Sequence, residues 1–167
     1  IVTNDAKIAD DVRVFRNYGS EKRYYNRVVG TNSRLDELQA GLLRVRLSHM
    51  AELEEDKRKL CIRYLEELKN NNISLPTIRE GADHIWHQFV IRTERRQELI
   101  NYLNEKEIGT IIHYPIPPHL SEAYRYLGIP KGSLPITERY AETVLSIPLY
   151  NGMTSEEQAY VIDAMNN

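Results

Sequence analysis

Apolar residues recur at helical spacing through most of the chain and alternate over one short stretch, and this sets the expected order of elements. Ile8, Val12 and Phe15 mark one face of a first helix, capped by Asn4-Asp5 and closed by Tyr18-Gly19-Ser20. Residues 21–28 are polar and rich in tyrosine, and read as a loop. From Ser33 a helical pattern runs to about Asn70, with one polar interval over residues 54–59. Leu35, Leu38, Leu42 and Val45 form one stripe, with Leu43, Leu47 and Met50 beside it, and Leu60, Tyr64 and Leu68 continue it as core contacts. At roughly 1.5 Å per residue such a helix spans about 55 Å, more than a small domain's diameter, so it is expected to bridge two domains or subunits.

Asn70-Asn71-Asn72 ends that helix, and Pro76 and Gly81 bound a loop. In residues 84–92, Ile85, His87, Phe89 and Ile91 alternate with Trp86, Gln88 and Val90, which predicts a strand covered on both faces. A helix carrying Leu99, Tyr102 and Leu103 starts at Thr93 and ends before Gly109; a second strand is expected over residues 110–113. Helices over residues 121–127 and 136–145, a short strand over residues 146–148, and a last helix opened by the capping box Thr154-Ser155-Glu156-Glu157 complete the pattern. The opening Ile1-Val2-Thr3 reads as a strand end without an initiator methionine, as if cut from a longer protein. The order predicts an α/β chain whose small domain is α+β, with helices on one side of a small antiparallel or mixed sheet. The expected division is 1–50, the end of a larger region with the start of the bridging helix, and 51–167, a C-terminal small domain.

Composition narrows the picture. With 41% apolar residues in 167, the chain can fill a core, and no apolar run reaches the roughly 20 residues that span a bilayer. No signal-peptide layout precedes the first helix, so the expected compartment is the cytoplasm, without a membrane partner. The single cysteine, Cys61, sits in a helical apolar rhythm and reads as an inert buried thiol. Net charge is only −2, yet Arg13, Arg16, Lys22, Arg23, Arg27 and Arg34 face Glu21 alone within residues 13–34. That segment is either a solvated basic face or a site for an anion; a pI of about 6.2 and the lack of a nucleic-acid module favour a small phosphorylated ligand over nucleic acid.

Two stretches carry candidate chemistry. Val29-Gly30-Thr31-Asn32-Ser33-Arg34-Leu35-Asp36-Glu37 places a glycine, cap-forming Asn32 and Ser33, and acidic first-turn residues at the start of the long helix. It is either an ordinary cap or, with Arg27 and Arg34 beside free N–H groups, a phosphate cradle. In His113-Tyr114-Pro115-Ile116-Pro117-Pro118-His119 three prolines build a rigid turn that can hold polar side chains against a substrate or simply pack. The histidine spacing matches no compact metal motif, so no metal is expected. There is no Walker loop, no G-x-G-x-x-G and no G-x-S-x-G.

Taken in order, Ile1-Val2-Thr3-Asn4-Asp5, Arg16-Asn17-Tyr18-Gly19-Ser20, Gly30-Thr31-Asn32-Ser33-Arg34-Leu35-Asp36-Glu37-Leu38-Gln39-Ala40 and His113-Tyr114-Pro115-x-Pro117-x-His119 resemble the C-terminal part of the DegT/DnrJ/EryC1/StrS family of sugar aminotransferases. Asn-Ser-Arg-Leu-Asp-Glu with Asn-Tyr-Gly-Ser is most similar to the branch that aminates nucleotide-linked 3-keto-6-deoxyhexoses. The resemblance implies the C-terminal part of a fold-type I, pyridoxal-phosphate-dependent enzyme that works as a homodimer with shared active sites. Such an enzyme moves an amino group from glutamate to a keto-sugar for surface polysaccharide, lipopolysaccharide or glycoside biosynthesis. It implies that Asn32 reaches the phosphate of the partner subunit's cofactor, that His113 and Tyr114 lie near the sugar nucleotide, and that Lys22, Tyr24 and Arg34 contact substrate. The family's catalytic lysine precedes the Ile-Val-Thr-Asn-Asp stretch, and none of the seven lysines here has its context, so no catalytic residue is assigned and the chain alone is expected to be inactive. The alternative is a non-catalytic binding, regulatory or assembly module of the same family.

Overall fold

The computed structural model describes residues 1–167, which divide into two compact units, Ile1–His49 and Met50–Asn167.

In the first unit, α1 (Ala6–Phe15) starts at Asp5, whose Oδ1 accepts from the Lys7 and Ile8 N–H groups at 2.8 and 3.1 Å. The expected strand at Ile1-Val2-Thr3 does not form: Ile1 and Val2 are 98% and 100% exposed and find no pairing edge. Residues expected as a loop instead form a hairpin, β1 (Ser20–Lys22) against β2 (Tyr25–Asn26), antiparallel and turned by Tyr24 at φ 71°. The following loop is drawn back onto α1. Tyr18 N–H donates to Thr31 O, Thr31 N–H to Phe15 O and Ser33 N–H to Arg16 O, at 2.9 to 3.0 Å. Glycine is required at this crossing, because a Cβ on Gly30 would stand 2.1 Å from the Gly19 nitrogen and 2.5 Å from the Phe15 carbonyl oxygen.

The helix expected from Ser33 to about Asn70 is two helices. α2 is Glu37–Ser48, with Asp36 at its N-cap, and α3 is Met50–Glu67. His49, at φ −103° and ψ 8°, leaves the helical basin, and its N–H bonds back three residues to Arg46 O, which tightens and ends α2. The single long rod is therefore corrected. α2 buries no residue, whereas α3 buries Cys61 and Tyr64.

The second unit is built on β3 (Phe89–Arg92) paired antiparallel with β4 (Val144–Ile147), in the register Phe89 to Ile147 and Arg92 to Val144. Single bridges widen this layer, Ser74 on Arg92 at one edge and Ile111 on Ser146 at the other. The strand expected over residues 110–113 shrinks to that bridge. The strand expected over 84–92 keeps only its last four residues, because Trp86 turns at φ 53° and its N–H is taken by His84 Nδ1. Phe89 and Ile91 are fully buried and their neighbours are not, the alternation of a sheet with one face in the core.

Around the sheet stand α4 (Arg96–Glu105), 3₁₀ turns at Pro118–Leu120 and Glu122–Leu127, α5 (Pro135–Thr143) and α6 (Ser155–Asn166). α5 passes directly into β4, so Leu145, expected in a helix, is a strand residue of the core. α6 opens with the predicted capping box: Glu157 N–H donates to Thr154 Oγ1 and Thr154 N–H to Glu157 Oε2. The core gathers Cys61, Tyr64, Phe89, Ile91, Leu103, Leu145 and Met165, and every buried side-chain nitrogen and oxygen is hydrogen-bonded. Within it the Tyr64 hydroxyl donates to Pro148 O at 2.8 Å, and burial pushes the Cys61 thiol up to about 12, so it stays protonated and inert. No helix is long and apolar enough to cross a membrane.

Candidate functional site

Chemistry-bearing residues gather in two places, one in each unit. In the first unit the loop drawn onto α1 and the hairpin enclose an open cleft of about 650 Å³ lined by Asn17, Tyr18, Ser20, Arg23, Tyr24, Asn26 and Arg34. Arg34 donates to Asn17 Oδ1 at 2.6 Å and lies 5.7 Å from the centre of the Tyr18 ring; Arg23 lies 5.0 Å from that of Tyr24. Both tyrosines occupy the left-handed region, at φ 60° and 71°. Each costs about 1 kcal/mol or more, which the surrounding bonds offset. The wall holds two arginines and no carboxylate.

Arg27 does not add to that field. It pairs with Asp11 at 3.2 Å and Glu21 at 3.6 Å, and Lys7, followed by Arg27, holds the Asp11 carboxyl below the usual carboxylate range. Lys22 points elsewhere, its ammonium 5.5 Å from the Tyr25 ring centre. Of the positions expected to meet substrate, Arg34 and Tyr24 therefore share a cleft and Lys22 lies outside it.

Asn32 is not the helix cap that its neighbours suggested, since α2 begins at Glu37, and the N–H groups of Thr31 and Ser33 are consumed by Phe15 and Arg16. The reading of a phosphate cradle of free helix N–H groups is corrected accordingly. What remains is a narrower fit. Asn32 faces Asn17 as a non-hydrogen-bonded bridge pair, exposed, with its side-chain amide and its own N–H uncommitted on a backbone that Gly30 pins. These donors suit one phosphate oxygen and carry no charge of their own. They fit a phosphate group as one contact and would leave most of its charge uncompensated.

In the second unit the His113 imidazole is held at both nitrogens. Gln88 Nε2 stands 3.1 Å from His113 Nε2, and His113 Nδ1 is 2.9 Å from Ser146 Oγ. Set as it is, the Gln88 amide can donate to Nε2, and Nδ1 shares the other hydrogen bond with the Ser146 hydroxyl. Tyr114 follows through a cis peptide bond, its ring edge-on to His113 at 5.4 Å and its side chain 74% exposed. The other histidine of the proline turn does different work. His119 is buried and meets Glu138 Oε1 at 3.1 Å, while the Glu138 carboxylate also accepts from the Gly132 and Leu134 N–H groups. Burial alone raises the Glu138 carboxyl, but those donors outweigh it and its pKa lies below the ordinary value. No cluster of three or more potential ligands could hold a metal ion.

Beside His113 opens a cleft of about 410 Å³ bounded also by Lys57, His87, Gln88 and Ser146, with Ile111 and Leu149 among its apolar walls. Gln88, Ser146 and Lys57 escaped the sequence reading. Gln88 was visible as the one amide in an apolar alternation, but its partner lies 25 residues away and no local pattern encodes that contact.

Comparison with known proteins agrees with this picture. The family model described as the DegT/DnrJ/EryC1/StrS aminotransferase family matches residues 1–166. A dTDP-3-amino-3,6-dideoxy-alpha-D-galactopyranose transaminase of Aneurinibacillus thermoaerophilus is 44% identical over 166 residues, which are 99% of this chain and 45% of that protein. Among solved structures, DesV of S. venezuelae, in complex with a ketimine intermediate, superposes with a TM-score of 0.91 at 43% identity over 99% of this chain and 45% of that one. NtdA of Bacillus subtilis, with bound cofactor PMP, gives a TM-score of 0.84 at 28% identity over 98% of this chain and 40% of that one. The chain thus spans less than half the length of the relatives it matches. From end to end it belongs to the DegT/DnrJ/EryC1/StrS aminotransferase family.

Proposed function

We propose that this chain is the C-terminal portion of a pyridoxal-phosphate-dependent aminotransferase that moves an amino group from glutamate to the carbonyl carbon of a nucleotide-linked keto-deoxysugar. The observation that carries the reading is the match to sugar aminotransferases over residues 1–166, with the carboxylate-free arginine and tyrosine cleft lying inside the matched region. Bound pyridoxal phosphate supplies the electron sink that lets an amine be exchanged for a carbonyl.

The chain's own residues bind and orient. Asn32 offers its side-chain amide to the cofactor phosphate of the neighbouring subunit in a homodimer. Arg34 and Tyr24 receive the substrate's diphosphate, Arg34 being pre-set by Asn17. Tyr114 presents an exposed phenol to the sugar, and His113 fixes the base from which it projects. The lysine that carries the cofactor comes from outside these residues. The enzyme works in the cytoplasm, and its product feeds polysaccharide, lipopolysaccharide or glycoside assembly.

The test is the full-length protein given pyridoxal phosphate, glutamate and a panel of dTDP- and UDP-linked keto-sugars. Glutamate-dependent formation of an aminosugar with matching 2-oxoglutarate is expected. Failure to aminate any of them, with cofactor bound, would sink the assignment.

A further inference from the structure

The cleft beside His113 holds one feature that the proposed roles leave unused. Lys57 lies on α3, partly buried, with its ammonium turned into that cleft, where the nearest acceptor is the His87 carbonyl oxygen at a weak 3.5 Å. No carboxylate lies within ion-pairing distance of it, and none lines the cleft. Of its helical neighbours one turn away, Leu53, Leu60 and Cys61 carry no charge, and Glu54, three residues before it, makes no ion pair with it.

Several other basic groups of the same unit are paired. Arg58 meets Asp83, Lys59 meets Glu55, Arg95 meets Glu98, Arg139 meets Glu94, and Arg96 donates to the carbonyls of Ala141 and Val144. The two clefts beside α4 contain arginines too, but Glu94 and Glu98 stand among them. The Lys57 ammonium is thus a cation at the cleft that holds one long bond to a carbonyl oxygen and has no counter-charge in the unit.

His113 does not compete for an anion. Both ring nitrogens of His113 are occupied, by Gln88 and Ser146, and Lys57 is the one lysine or arginine that lines the cleft. Around it are an amide, a hydroxyl, the His87 and His113 residues and the apolar faces of Ile111, Ile147 and Leu149. A single fixed cation at one end of a small, partly apolar cleft suits a short aliphatic chain that ends in a carboxylate. A nucleoside diphosphate, with at least two charges, asks for more. The geometry points to this cleft as the site of the amino donor's carboxylate, with Lys57 as the ion that recognises it. This rests on the aminotransferase reading and assigns it a donor site in the second unit.

The experiment compares the full-length holoenzyme with Lys57→Met and Lys57→Arg. For Lys57→Met the KM for glutamate should rise about ten-fold or more while the KM for the nucleotide sugar stays within about two-fold, and Lys57→Arg should recover most of the loss. A rise confined to the nucleotide sugar, or no rise in either, overturns the assignment. If Lys57→Met does not fold, Lys57→Gln, one atom shorter but polar and uncharged, takes its place. Calorimetry on the full-length protein stripped of cofactor provides a readout free of turnover: glutamate and glutarate should bind the charge-removed variant about ten-fold more weakly than the wild type, while inorganic phosphate, which the vacated cofactor site can take up, should bind both alike. Phosphate binding that weakens with the loss of Lys57 while glutarate binding does not overturns the carboxylate. A wild type that binds glutamate through Lys57 yet transfers no amino group keeps this inference and rejects the enzyme reading; an active wild type indifferent to Lys57 does the reverse.

Discussion

The two units are held together by different forces. Residues 50–167 bury a continuous apolar core from Cys61 to Met165, whereas residues 1–49 bury one apolar side chain, Val14, and leave Leu38, Leu42, Val45 and Leu47 at 63% to 77% exposure. Order in the first unit comes from backbone bonds between α1 and the loop before α2, and from the close approach of Gly19 and Gly30. One unit is thus specified by what it buries and the other by where its backbone is pinned. A lesion suited to one should leave the other almost untouched.

The largest effect is expected in the second unit. Phe89 is fully buried between Tyr64, at 5.0 Å, and Trp86, at 5.7 Å. Phe89→Ala should cost about 3 to 5 kcal/mol of that unit's stability, read from denaturant unfolding followed by the Trp86 signal. In the first unit a methyl group should do comparable damage. Gly30→Ala drives a Cβ into the Gly19 nitrogen and the Phe15 carbonyl oxygen, both backbone atoms that cannot swing aside. A loss of about 3 kcal/mol is expected, seen as faster hydrogen exchange at Tyr18, Thr31 and Ser33 with the amides of β3 and β4 unchanged. Slowed or equal exchange at those three amides would show that the crossing is not what orders the loop.

Asn32 tests whether the pinned loop serves a ligand. In the full-length protein, Asn32→Ala should weaken cofactor retention by about 1 to 2 kcal/mol, the worth of one hydrogen bond to a charged phosphate, without altering the exchange pattern around Gly30. Equal cofactor affinity in variant and parent would remove Asn32 from the site. A smaller effect, confined to acid, is expected at Glu138. Its carboxylate is favoured by the fold, so the stability it contributes is present above the unfolded carboxyl pKa and is lost as pH falls through its own lowered value. Glu138→Gln should flatten the acid limb of the second unit's stability against pH and leave its slope above pH ~6 unchanged. An unaltered acid limb would mean that the His119 and Gly132 contacts do not stabilise the charge.

Legibility followed the same division. Burial writes a periodic signature, so the stripe Leu60, Tyr64, Leu68, the strand residues Phe89 and Ile91, and the α6 capping box could be read from spacing and local chemistry. Backbone pinning writes almost none. The hairpin of Ser20–Lys22 with Tyr25–Asn26 has neither alternation nor a glycine turn, since Tyr24 itself takes the positive φ that a glycine would have advertised. The break at His49 was hidden because the leucine stripes continue in sequence on both sides, and periodicity does not register one residue leaving the helical basin. At the candidate sites, Asn32, Arg34, His113 and Tyr114 were singled out through ordered motifs, whereas Gln88, Ser146 and Lys57 join His113 only through long-range contacts.

The smallest effect probes what the apolar face of α2 is for. No residue of α2 is buried, and Leu42 is 66% exposed on a helix whose N-cap makes no side-chain bond. On this chain alone, Leu42→Gln exchanges one exposed side chain for another of similar helix propensity, so the change should stay within about 0.5 kcal/mol. A whole aminotransferase of the proposed kind contains further chain, and relatives matched over 45% of their length show how much more there is. If that chain or a second subunit covers Leu42, the same substitution there deletes buried apolar surface and should cost about 2 kcal/mol or more, with dimer dissociation where the cover is the partner. Measured side by side, a silent change in the short chain and a costly one in the full-length protein would show that the first unit's missing core is supplied from outside. Equal, small effects in both would leave the leucine stripe a solvated face and would break the contrast between the units at its weaker end.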